Sequence, residues 1–499
     1  MRIREKLLNS RSFYRFVECI PGLISWSIII MPFVSAVFAP KVAAYFILFY
    51  VSYWIILSIF FVVNSTRGFL LAERWQKIDW YAKLNEEFRN KWRKYYYATL
   101  IPFCKETERV LVPTIESIIK ADYPKDRKIL VLSSDFHEPT GSEVAERLAK
   151  KYKNDFAYIF TTRHPELPGE IKGKAANENW AGRLLYKKCL ELGIDPAYVL
   201  VTSSDADMSI PPNYICTCVY WLLKQGDEYI HTSILQPAPS DLKNIWETSS
   251  LVSIRMIIGY LWRMALPFTP HQFHVFAFYT MTLKMLKDIG FWDPDIIQED
   301  IRTHTKALFR FGEKFRVVPI FCVVEGEPVI GDNVLQTLIL FYKQVRRWSW
   351  GSCELAYMAT GLLKKTNASK LHIILYMLDY LRLHIDWVII SYIPMMGAPI
   401  LFLINPSFKV STLGANLPFL LSRILTLGSL LCIVFIIIEF KVLGKPPKGK
   451  DKPISRIWQL LRWVALPYIG IFLGSLPALD AQTRLILNKR LAYVVYRKK

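Results

Sequence analysis

The chain has 499 residues, more than one domain usually holds and enough to bury a large core. A hydrophobic share of 52% is high for a soluble protein and low for an all-membrane one, so a soluble catalytic region joined to membrane segments is expected. The net charge of +21 argues little for nucleic acid, because Lys and Arg lie largely beside apolar stretches, where they suit cytoplasmic flanks facing anionic headgroups.

In chain order, a basic start (Arg2, Arg4, Lys6, Arg11, Arg15) precedes an apolar run at about 20–39. A break at Pro40-Lys41 separates it from a second run at about 42–63. Each approaches the ~20 residues needed to cross a bilayer, and Arg67, Arg74 and Lys77 return the chain to the basic side. Residues 1–66 therefore read as a transmembrane helical hairpin. A cleavable signal peptide is not expected, since the second run follows at once and no A-x-A site ends the first.

Residues 67–370 read as a cytoplasmic catalytic domain. YYYATLIPF, RKILVLSSD, AYVLVTSSDAD and FRVVPIFCVV are strand-like runs alternating with helical stretches. Such alternation predicts a mainly parallel sheet with ligands beyond the strand carboxyl ends. Segments 244–268 and 336–350 mix aromatics with Arg and read equally as interfacial helices or core helices. Residues 371–499 form a C-terminal membrane region, with spans expected at about 387–404 and 417–440. A last run at 463–479 carries Pro467, Gly470, Gly474 and Pro477 before a basic tail ending Arg497-Lys498-Lys499. One crossing there would put that tail outside, so a kinked re-entrant segment is the preferred reading. The 8 cysteines show no metal-ligand spacing and read as reduced structural thiols.

Three polar strings carry the chemistry. SSDADM ends a strand with Asp205 and Asp207, which can share one hard cation, Mg²⁺ or Mn²⁺, but equally suit a polar turn. IIQEDIR places Glu299 and Asp300 just before a helix expected near Ile301. There they are either ordinary dipole partners or a general base aimed into a cleft. In QVRRW, the residues Gln344, Arg347 and Trp348 share one helical side. Arg347 can fork onto phosphate oxygens and Trp348 offers a flat face to a sugar ring, though an interfacial helix explains the same string.

With three further strings in the same order, LIPFCKE, DYPKDRKILVL and GKAANEN, these residues resemble the membrane-integrated family 2 glycosyltransferases, the group containing cellulose and hyaluronan synthases. The likeness spans about 95–351. LIPFCKE resembles the family's first-strand nucleotide motif and implies donor-binding roles for Pro102 and Glu106. GKAANEN resembles its G-K-A-x-x-x-N string and implies Lys174 and Asn179 near the diphosphate. SSDADM resembles the metal-binding D-x-D, and QED resembles T-E-D, which makes Asp300 the implied base with Glu299 beside it. QVRRW matches Q-x-x-R-W, associated with acceptor and diphosphate binding. Two strings depart from the pattern. Ser133 and Ser134 stand where an Asp pair is usual, leaving Asp135 as the displaced nucleobase contact. HQFHVFAFYT replaces a small-residue acceptor string, and its His271 and His274 read as polar surface or acceptor contacts rather than metal ligands.

The resemblance implies an α/β GT-A-like (Rossmann-like) domain with transmembrane helices at a plasma or inner membrane. It implies inverting, metal-dependent transfer from a nucleotide-diphosphate sugar, expected to be a UDP-sugar, to a saccharide or lipid-linked acceptor. Polysaccharide synthesis is the leading expectation, and single-sugar transfer to a lipid carrier the alternative. A non-catalytic scaffold fits less well because both metal acids and the base are present. A hydrolase is disfavoured because adjacent helical residues point about 100° apart and cannot flank one glycosidic bond.

Overall fold

The computed structural model describes residues 10–269, 273–444 and 453–491. Seven strands form one sheet: β1 (Tyr96–Phe103), β2 (Lys128–Asp135), β3 (Tyr158–His164), β4 (Val199–Ser203), β5 (Ser233–Ser240), β6 (Tyr279–Thr282) and β7 (Arg316–Glu325). Their order is β3-β2-β1-β4-β6-β5-β7. Strands β1 to β4 pair in parallel, β6 runs antiparallel to β4 and β5, and β5 pairs in parallel with β7. The largely apolar runs of β1, β2 and β4 are buried on both faces, as a covered parallel sheet requires. From β1 the chain builds outward to β2 and β3, then returns to β4 on the other side. The carboxyl ends of β1 and β4 therefore flank the point where strand order reverses, where open α/β sheets bind ligands.

The four strands expected from sequence are present. Three were not legible. Strand β5 (SILQPAPS) contains Pro237 and Pro239, which lack ladder donors, and its register with β7 shifts at Pro237/Ala238. Strand β6 is only four residues long and starts at the end of HQFHVFAFYT, and β3 is the exposed edge strand.

Helices α1 (Arg11–Phe38) and α2 (Pro40–Gln76) form the N-terminal hairpin. The break falls at Ala39, with Pro40 at the first helical position, where its missing N–H costs nothing. At 37 residues α2 is about 55 Å long, more than a bilayer needs, and its end docks on the sheet domain, where Trp75 stacks on Trp221 at 5.1 Å. The helices that frame the site are α3 (Lys174–Glu191), α4 (Ser250–Ala265), α5 (Glu299–Phe311) and α6 (Val334–Ser349). Helix α5 starts at Glu299 rather than near Ile301, so both acids lie in its first turn. Then come α7 (Lys370–Ile389), α8 (Tyr392–Ile404) and α9 (Thr412–Leu443). Among the described residues five helices are long and apolar enough to cross a membrane, and α7 with α8, bent by 54°, makes a sixth candidate. Residues 250–268 are one of the five; α4 packs on α2, with Met264 against Gly68.

The last apolar segment is broken into α10 (Pro453–Leu461), α11 (Leu466–Gly470), a π turn (Ile471–Ser475) and α12 (Leu476–Ile486). Its beginning is tied to the end of α9 by a buried cluster: Arg462 pairs with Glu439, and Trp463 Nε1 donates to Glu439 Oε2 at 2.6 Å. Its middle reaches Ser391 and Trp387. Its end meets α6 through Arg346–Asp480 (2.8 Å) and the start of α1 through Arg15 to the Leu485 carbonyl (2.5 Å). By length and composition this segment, Arg456–Ile486, is one of the five candidate spans. The basic tail, residues 492–499, lies outside the described residues, as do Arg2, Arg4 and Lys6.

Replacing Glu439 with Ala leaves a buried guanidinium unpaired, a change that costs about 3–5 kcal/mol. We expect Glu439→Ala to lower the thermal unfolding midpoint in detergent by several degrees; an unchanged midpoint would show that the cluster contributes nothing.

Candidate active site

Lys174 opens α3 and is the hub of the site. Its Nζ lies 2.8 Å from Asp205 Oδ1, 3.1 Å from Glu299 Oε1 and 3.7 Å from Glu178 Oε1, and donates to the Ala277 carbonyl at 2.9 Å. Burial opposes its charge, yet Asp205, Glu178 and Glu299 together hold its pKa well above the ordinary lysine value. Three separate strings, GKAANEN, SSDADM and QED, thus meet on one ammonium. Burial pushes Glu178 up to about 8 despite Lys174, and the Ser203 hydroxyl donates to it.

Ala277 joins this hub to Asp300. Its carbonyl takes Lys174, while its N–H donates to Asp300 Oδ2 at 3.2 Å. The residue sits at φ +51, a left-handed conformation unusual for a side chain with Cβ. Gln236 of β5 fixes it there: its amide donates to the Phe276 and Phe278 carbonyls (3.2 and 3.0 Å) and accepts from the Phe276 N–H (3.0 Å). Strain of this kind persists only where neighbours over-determine the backbone. Asp300 Oδ1 accepts from Ile301 N at 2.8 Å. Burial, with the neighbouring Glu299 adding to it, pushes the Asp300 carboxyl up to about 7.

A cavity of about 2240 Å³ collects the rest. Pro102, Glu106 and Asp135 line it at the ends of β1 and β2. Glu106 caps its own turn, accepting from Cys104 N (2.8 Å) and Lys105 N (3.1 Å). Asp135 accepts from His137 through backbone N (2.8 Å) and Nδ1 (2.7 Å), while Ser133 bonds Asn177. Asp205 and Asp207 follow β4. The Asp205 side chain is 36% exposed to the cavity, whereas Asp207 is buried and accepts from Glu327 N at 2.9 Å. At the other side Gln344, Arg347 and Trp348 line the same cavity from one face of α6, as their spacing predicts. Gln298 of QED donates to the Arg347 carbonyl at 2.5 Å, tying QED to QVRRW.

One expected site residue is misplaced. Asn179 points out of the cavity and accepts from Arg183 Nε at 3.0 Å; Asn177 lines it instead. Counting three and four residues along α3 from Lys174 selects Asn177 and Glu178, a helical-face signal that motif matching passes over. His271 lies outside the described residues. His274 is not polar surface: it is buried against His304, Tyr376 and Tyr380, and burial lowers its pKa to about 4, so it is neutral. Gln236 and Ala277 carry no sequence signal of their role.

A family profile described as Glycosyl transferase family group 2 matches residues 200–439, a stretch that holds Asp205, Asp207, Glu299, Asp300 and QVRRW. The match supports a family 2 glycosyltransferase. Comparison with curated protein sequences gives no match. Among solved structures, the mannosyltransferase PcManGT from Pyrobaculum calidifontis, in complex with GDP-Man and Mn²⁺, is 15% identical, with a TM-score of 0.42 over 88% of this chain and 100% of that one. S. aureus TarS 1-349 in complex with UDP is 11% identical, with a TM-score of 0.37 over 70% and 92%. Its complex with UDP-GlcNAc gives 13%, 0.37, 79% and 91%.

With burial pushing the Asp300 carboxyl up to about 7, a base role for Asp300 predicts turnover that rises with pH through about 7 and falls below it. A pH–rate profile flat from pH 5.5 to 8 would contradict this. Gln236→Leu removes the clamp on Ala277 and should cut kcat by about tenfold or more while leaving donor affinity close to wild type; an equal fall in donor affinity would show general misfolding of the site.

Proposed function

We propose that this protein transfers a sugar, with inversion, from a nucleotide-diphosphate donor to a hydroxyl acceptor at a membrane. The observation that carries this reading is the Lys174–Ala277–Asp300 relay. It joins the Asp205 carboxylate, at the strand ends where a diphosphate would bind, to a raised carboxylate 3.2 Å from the Ala277 N–H.

The diphosphate rests beside Lys174 and Arg347, whose charges favour its departure. Asp300 takes the proton from the acceptor hydroxyl as that oxygen attacks the anomeric carbon from the face opposite the leaving group. One bond forms and one breaks, so the configuration inverts and no sugar–enzyme bond is needed. Asp205 and Asp207 fit Mg²⁺ or Mn²⁺, since one carboxylate opens to the cavity and the other is oriented by Glu327, and such ions take a few carboxylates plus phosphate oxygens. The bound ion would offset charge on the leaving diphosphate. The candidate spans support a membrane location, their basic flanks favour the sheet domain on the cytoplasmic side, and a plasma or inner membrane is the proposed site.

Two products were expected, an extended saccharide or a single glycolipid. The wall of the cavity favours a lipid-linked acceptor. Beyond the acids the cavity continues between α2, α7 and α9, past Trp54, Leu57, Phe61, Leu425, Cys432 and Phe435. Side chains of this kind leave most sugar hydroxyls without partners and suit an acyl or prenyl chain. The total volume also exceeds the roughly 300–1,000 Å³ of an ordinary ligand pocket, leaving space for donor and acceptor together.

Asp300→Asn should lower transfer by about 10²–10⁴-fold while nucleotide binding by calorimetry stays near wild type. Unchanged turnover would remove Asp300 from the base role. Activity should be lost on chelation and return with Mg²⁺ or Mn²⁺; indifference to chelator would remove the metal from the scheme.

A further inference from the structure

Helix α4 carries two arginines on its cavity side, and they differ in state. Arg263 is engaged, with Nη2 2.9 Å from Asp241 Oδ2 and Nη1 3.0 Å from the Pro239 carbonyl. Arg462, close by on the last apolar segment, pairs with Glu439 and donates to Ser253 Oγ at 2.5 Å. Arg255 has neither an ion-pair nor a hydrogen-bond partner among the described residues, although it lines the cavity and is half-buried. Two glycines leave room around its guanidinium: a Cβ on Gly259 would stand 3.7 Å from Nη1, and one on Gly474 3.9 Å from Nε. Gly474 belongs to the π turn, an irregularity that often marks a functional position. Holding an unpaired guanidinium against apolar walls is unfavourable unless an anion joins it.

Its place along the helix gives scale. Arg255, Gly259 and Trp262 follow at four- and seven-residue spacing and so share one face, with Arg255 about 10 Å from Trp262 along the axis. Trp262 packs on Phe276 (6.3 Å between rings), next to Ala277 and the base. An anion on Arg255 is thus too far away to be the attacking atom, but lies where the head group of an amphiphile passes into the apolar part of the cavity.

We infer that Arg255 binds the phosphate of a lipid-linked acceptor, whose chain lies between α2 and α9 and whose head group carries the attacking hydroxyl to Asp300. This rests on the lipid-linked reading above and names the chemistry that selects the acceptor. Phosphate in a fork with guanidinium is a strong, directional pairing.

The test uses full-length protein in detergent and three probes: decaprenyl phosphate, decaprenol and inorganic phosphate. Wild type should bind decaprenyl phosphate about tenfold or more tighter than decaprenol, the effect of one charge-assisted pairing. Arg255→Gln should bind the two alike, and Arg255→Lys should keep part of the preference. Inorganic phosphate at equal concentration should not displace decaprenyl phosphate. A preference that survives in Arg255→Gln, or equal binding of both lipids by wild type, overturns the Arg255 assignment alone. Wild type that binds neither lipid overturns the lipid-linked reading itself, and displacement by inorganic phosphate overturns the lipid as the source of the anion. Nucleotide affinity, measured in each variant, should match wild type and thereby shows that the variants fold.

Discussion

The site is organised by one buried ammonium. Lys174 stands among Asp205, Glu178 and Glu299, carboxylates drawn from three separate stretches of the chain, and each of them needs it. Removing a charge from such a ring leaves the others uncompensated in a poorly solvated place, so the strands and helices that bring the ring together are held to one arrangement. The same ammonium takes the Ala277 carbonyl, and this fixes a left-handed residue whose N–H faces Asp300. In the proposed reaction, donor and acceptor chemistry are thereby coupled through a single residue. Burial moves the Asp300 carboxyl up to about 7, which suits the base role proposed for it, while the ring keeps Lys174 charged.

The helical bundle sets what reaches that ring. Helix α2 runs the full depth of the bundle and docks on the sheet domain through Trp75, while the last segment folds back against α6 and α1. Gln298 and Arg346 tie α6 in both directions, to QED and to α12. A long, largely apolar cavity is left between these supports, open to the acids at one end and bounded by α2 and α9 at the other. Arg255 is a charged group on that wall with no ion-pair partner among the described residues.

Much of this was legible from the residues because the signals were local. Strands β2 and β4 announce themselves by Ile, Leu and Val runs and β1 by a β-rich, largely apolar run, since both faces are covered. The hairpin break, expected at Pro40-Lys41 and found at Ala39, and the common face of Gln344, Arg347 and Trp348 follow from proline stereochemistry and helical period. What stayed hidden depends on partners distant in sequence. Strand β5 carries two prolines, so only pairing with β7 makes it a strand. Asn179 fits a motif string, but the helix turns Asn177 toward Ser133 instead. His274 lies in a polar-looking string yet is covered by aromatic rings from α7. The roles of Gln236, Ala277 and Arg255 exist only once the chain is folded.

The central claim is that this cavity transfers a sugar from a nucleotide-diphosphate donor with inversion. The most direct measurement incubates the detergent-solubilised protein, its membrane lipids and Mg²⁺ or Mn²⁺ with a panel of nucleotide sugars, follows nucleotide-diphosphate release, and reads the anomeric configuration of the product by NMR. Release from at least one donor, with a product of opposite anomeric configuration, is the result expected. A product that retains the donor's configuration, or no turnover of any donor in the panel, would contradict it.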